Sequence, residues 1–70
     1  MSLMTNTNRK IAKLDRLYRT ALRIEIRAVD ALPERAPPAM TERCWALAAK
    51  TNAAMRALQS AHRVAAFAAA

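Results

Sequence analysis

Polar and apolar positions between Arg9 and Leu32 repeat with the period of an α-helix, and on a wheel of about 100° per residue they separate onto two sides. Arg9, Arg16, Thr20, Arg23 and Arg27 lie on the polar side. The apolar side is wide and resolves into two neighbouring stripes. One carries Ile11, Tyr18, Leu22 and Val29; the other carries Leu14, Leu17, Ala21, Ile24, Ala28 and Ala31. A helix packed on a single neighbour needs one seam, so two seams predict two neighbours: a second helix of the same chain and another copy.

The helical pattern resumes near Pro38 and predicts a second helix over about 38–66, with an apolar stripe running from Met40 through Cys44, Leu47, Thr51 and Leu58 to His62 and Ala65. Beside it lies a run of small residues, Ala46, Ala53, Ala57 and Ser60, interrupted by Lys50. Small side chains let helix backbones approach closely, so this flank is expected to make a tight helix–helix contact. The alanine-rich end of the chain has no cap and is expected to fray.

Between the two patterns, Leu32-Pro33-Glu34-Arg35-Ala36-Pro37-Pro38 holds all three prolines of a chain without glycine. Proline fixes its own φ, lacks an N–H and pushes the preceding residue out of the helical region, so the first helix should stop near Leu32 and the second restart at Pro38. The predicted fold is all-α: a two-helix antiparallel hairpin that dimerises into a four-helix bundle. Residues 1–8 are expected to be flexible, with Met1-Ser2-Leu3 ahead of Met4 reading as a short non-native leader, and residues 9–70 form the single domain. Antiparallel pairing about this hinge places positions summing to roughly 71 opposite each other.

Size sharpens the expectation of a partner. A chain of 70 residues buries little of its surface, and small domains compensate with disulfides, metals or association. One cysteine and one histidine supply neither an intrachain bridge nor a structural zinc site, so no cofactor or metal is expected and homo-oligomerisation, with a dimer favoured, remains. Glycine-dependent phosphate loops, dinucleotide fingerprints and nucleophile elbows are ruled out by composition, and the chain reads as a non-enzyme. It has no run long and apolar enough to span a membrane and no secretory pattern at its start, which points to a reducing, cytoplasmic setting.

Charge brings in the candidate chemistry. Twelve Lys and Arg against five Asp and Glu give a formal +7 and an attraction to polyanions. Arg9, Lys13, Arg16, Arg19, Arg23 and Arg27 form a basic face that fits a phosphate backbone, or is merely solvated; no aromatic residue is interleaved to stack bases. Leu14, Leu17, Ile24, Trp45, Ala53 and Ala57 are the candidate interface. Glu25 falls inside the apolar arc and is expected to pair with Arg43 or Lys50. His62 reads as a hydrogen-bonded boundary residue and Cys44 as a small buried hydrophobe, with an interchain disulfide as the alternative. Trp45 either folds over the hinge prolines or anchors an interface. Two functions follow as expectations: a non-catalytic protein–protein interaction or assembly module working as a homo-oligomer, and a nucleic-acid-binding dimer using the arginine face. In general shape such a dimer is similar to the small plasmid-encoded RNA-binding hairpins, with no shared motif.

Overall fold

A computed structural model describes the chain over residues 3–69, with side-chain exposure described for residues 6–68. Helix α1 spans Leu3–Asp30 and helix α2 spans Pro38–Ala69. They pack side by side as a hairpin whose Cα trace measures 52 × 16 × 13 Å. Among the described residues no helix is long and apolar enough to cross a membrane.

The prolines set both ends of the hinge. The Ala31 N–H donates to the Arg27 carbonyl and the Leu32 N–H to the Val29 carbonyl, each at 3.1 Å, and α1 goes no further because Pro33 disfavours helical backbone at Leu32. On the far side the Pro37 carbonyl accepts from the N–H of Met40 at 3.0 Å and of Thr41 at 3.3 Å. Pro38 takes the first helical position, where a missing N–H costs nothing. The 31–37 connection thus reverses the chain with no glycine and no positive φ.

Both helices outrun the sequence-based expectation. α1 begins at Leu3 instead of near Arg9, because the seam reaches back to Thr7, which is half-buried and lies against Ala61 and Val64. α2 continues to Ala69 through the alanine tract, where intrinsic propensity is highest. Met1, Ser2 and Ala70 lie outside the described residues, and with them most of the expected leader.

The inward positions of α1 are Ile11, Leu14, Tyr18, Ala21, Glu25 and Ala28, in alternating steps of three and four. That is a heptad seam. Those of α2 centre on Cys44, Thr51, Leu58 and Ala65, seven apart, flanked by Leu47, Ala54 and Ala61. Most of the bulk in the seam comes from α1, and α2 offers a largely small-sided wall against which it rests. Only Cys44 and Thr51 are buried among the described residues, and no described side chain is fully enclosed. Thr51, 5% exposed, satisfies its hydroxyl within its own helix by donating to the Leu47 carbonyl at 3.0 Å.

So thin a core leaves a large surface. The hairpin exposes 5889 Å², whereas a compact monomer of its 7.7 kDa would expose about 4,300 Å². The excess, roughly 1,600 Å², is about twice the ~800 Å² that a standard interface takes from each partner.

Candidate functional site

Three clefts on one side of the hairpin establish its register. Leu14 shares a cleft with Ala57 and Ala61, Ala21 with Leu47 and Lys50, and Ala28 with Arg43 and Cys44. These pairings keep the sum near 71 along the length of the hairpin. They also sort the two flanks. Leu17 and Ile24, each one residue before an inward position of α1, lie on the same side as Lys50, one residue before Thr51. Residues one step after the inward positions therefore rotate to the opposite side in both helices, and there Ile26 and Trp45 stand at one level.

The first flank is a groove running the length of the hairpin. Its floor and walls include Leu14, Leu17, Ala21, Ile24, Leu47 and Val64. Leu17 is 52% exposed and Ile24 46%, so the apolar wall is open to solvent. Every charged residue that lines its three clefts is a cation: Lys10, Lys13, Arg16 and Arg27 from α1, and Arg43 and Lys50 from α2. Of the small residues expected to make a tight helix–helix contact, Ala57 and Ser60 line the groove and are exposed, because the Cys44–Thr51–Leu58 stripe takes the seam with α1; Ala53 is exposed outside the clefts.

The second flank differs in chemistry. It presents Leu22, Ile26, Val29 and Trp45, and Trp45 is 70% exposed. Here Arg19 Nε donates to Asp15 Oδ2 at 3.0 Å one turn away, while Arg23 and Arg27 line the cleft beside Leu22 and Ile26 and Arg56 and Arg63 share the Trp45 face of α2.

The basic face of α1 divides between these surroundings. Lys13 and Arg16 line the groove, Arg27 lines both the groove and the cleft beside Leu22 and Ile26, Arg19 and Arg23 border that second cleft, and Arg9 is exposed. The six proposed interface residues divide as well. Leu17, Ile24 and Ala57 line the groove, Leu14 is half-buried at its floor, Ala53 is exposed outside the clefts, and Trp45 is on the other flank. Lys10, Arg43 and Lys50 belong to the groove; Lys10 was not singled out from the sequence, and Arg43 and Lys50 were singled out only as partners for Glu25. The signal was there: Arg43 and Lys50 are seven apart, each directly before an inward residue.

Two expected contacts are replaced by others. Glu25 is half-buried in the seam but forms no ion pair with Arg43 or Lys50; the one ion pair among the described residues is Arg19–Asp15. Arg43 travels with Ala28 and Lys50 with Ala21, one turn to either side of Glu25, and both point along the groove. His62 is exposed, and its side chain makes no hydrogen bond or ion pair with a described residue. Cys44 is buried in the seam as a free thiol. Among the described residues no three His, Cys, Asp or Glu side chains gather as a metal site would require.

Glu25 therefore occupies a seam position suited to an apolar side chain. Glu25→Leu is expected to raise stability by about 1 kcal/mol, seen as an increase of about 4–8 °C in melting temperature for a domain this small. A fall in melting temperature by circular dichroism would show that the carboxylate supports the fold.

Comparison with protein-family models, with curated proteins and with solved structures found no match to this chain. Its function has to be read from its two flanks.

Proposed function

We propose that this protein is a non-catalytic helical interaction module that acts as a homodimer, the Trp45 flank being the surface through which two copies meet. The observation that carries the reading is Trp45 itself, 70% exposed, with Ile26 at its level and Val29 nearby, both about half exposed. A buried tryptophan surrounded by aliphatic side chains is the kind of residue that dominates interface energetics. The groove is a poor surface for the same purpose, since pairing it with itself would set six cations against six. Two-fold contact through the Trp45 flank buries Trp45, Ile26 and Val29 against the same residues of the second copy, and it completes a four-helix bundle between the halves nearest the hinge.

Sedimentation equilibrium at micromolar concentration tests this. The expected mass is that of two chains. Trp45→Asp should weaken the dimer by roughly 2 kcal/mol or more, leaving a helical monomer. A wild-type chain that sediments as a folded monomer would overturn the proposal, as would a Trp45→Asp variant that dimerises like the parent.

A further inference from the structure

The groove on the opposite flank is a second docking surface, and we infer that it takes an acidic amphipathic helix supplied by a different protein. This goes beyond dimerisation, because the two flanks face away from each other and each can be lost without the other.

The occupant follows from the two chemistries that meet in the groove. Its charged lining is Lys10, Lys13, Arg16, Arg27, Arg43 and Lys50, with no carboxylate among them. The five acidic residues of the chain all lie elsewhere, so the asymmetry belongs to this flank and exceeds what a net charge of +7 imposes. Such a lining selects an anionic partner and rejects a second copy of the same surface.

Anionic character alone would admit a nucleic acid. The apolar wall argues against one: Leu17 and Ile24 stand open beside Leu14, Ala21 and Leu47, and a phosphate backbone would leave them wet or desolvate itself against them. Nor does any aromatic side chain line the three clefts to stack a base. A helix with one apolar stripe answers both features, its leucines seated between the two helices and its Glu and Asp flanks reaching the cationic rims. Ala57 and Ser60 are small enough to let its backbone come close.

The length of the occupant is set by the groove. From Thr7 to Leu32 the clefts extend over roughly 35–40 Å of α1, which corresponds to a helix of about 25 residues. The exposed surface is also sufficient: an excess of roughly 1,600 Å² accommodates two standard contacts, one with the second copy and one with this helix.

The test uses the full chain and three labelled probes followed by fluorescence anisotropy. The first is a designed peptide of about 25 residues with leucines at heptad spacing and glutamates elsewhere; the second is its scrambled form, identical in composition; the third is a random duplex of matched length. The acidic amphipathic peptide should bind at least about tenfold more tightly than either of the others. Leu17→Asp with Ile24→Asp should weaken it by at least about tenfold, and Arg43→Glu with Lys50→Glu by a similar factor. Leucine-stripe peptides carrying lysines in place of glutamates should then prefer the Arg43→Glu, Lys50→Glu protein, which guards against simple loss of fold. Trp45→Asp should leave the peptide affinity unchanged while abolishing dimers, so failure of the groove and failure of the dimer are read separately. Equal binding of the scrambled peptide, tighter binding of the duplex with a steep loss between about 50 and 200 mM salt, or no binding of any probe would each overturn the inference.

Discussion

Thr51→Asp should leave the hairpin largely unfolded at neutral pH, whereas Thr51→Val should fold close to normally. The native hydroxyl donates only to the Leu47 carbonyl of its own helix, which also has its helical N–H partner, so removing it strands no group. Valine matches the shape and restores an apolar contact at a position 5% exposed. Aspartate at the same point places a charge in the centre of the seam, and an uncompensated buried charge costs about 3–5 kcal/mol. A domain of 70 residues has only about 4–10 kcal/mol to lose. The pH dependence adds a signature. Desolvation raises the introduced carboxyl above its unfolded value of about 3.9, so the deficit relative to wild type is complete at neutral pH and closes as pH falls toward about 4. Urea melts followed by circular dichroism measure both. Equal midpoints for the two variants would mean that Thr51 is not at the centre of the core.

The parts of this structure that were legible in the sequence are those fixed by local chemistry. Pro33 and Pro38 set the helix ends within two residues or so, because a ring that fixes φ and removes an N–H acts whatever surrounds it. Antiparallel register followed from the hinge alone. The excess apolar width of α1 was equally plain, and Leu17, Ile24 and Val29 of its two stripes are left in solvent once α2 is in place, together with Ile26, which neither stripe included.

What escaped were choices between near-equal alternatives. The stripe through Cys44, Thr51 and Leu58 was readable, but the direction taken by the long side chains beside it was not: Arg43 and Lys50, each one step before a seam residue, line the groove instead of reaching Glu25 across the seam. The pairing expected of them hid the groove they line. His62 follows Ala61, which continues the Leu47–Ala54–Ala61 line, and is left exposed. Function lay further out of reach, because a docking surface is made by residues from two helices and is marked by no motif.

Replacing all three hinge prolines, Pro33→Ala, Pro37→Ala and Pro38→Ala, should convert the hairpin into a continuous rod. The resulting stretch from Ala31 to Met40 contains only good helix formers, and nothing else in the 31–37 connection stops a helix. A single helix over the described residues would be about 100 Å long, against 52 Å for the hairpin. The two seams would then be lost to each other. Continued past Leu32, the heptad of α1 runs on to Ala46, Ala53 and Ser60, while Cys44, Thr51 and Leu58 fall about 200° away on the far side of the same helix. Each half must therefore be covered by a different chain, and elongated assemblies replace the compact bundle. Small-angle scattering in the Trp45→Asp background, where pairing through that flank no longer lengthens the particle, should show the maximum dimension nearly doubled. A particle that stayed near the length of the hairpin would mean that seam packing reverses the chain without its prolines.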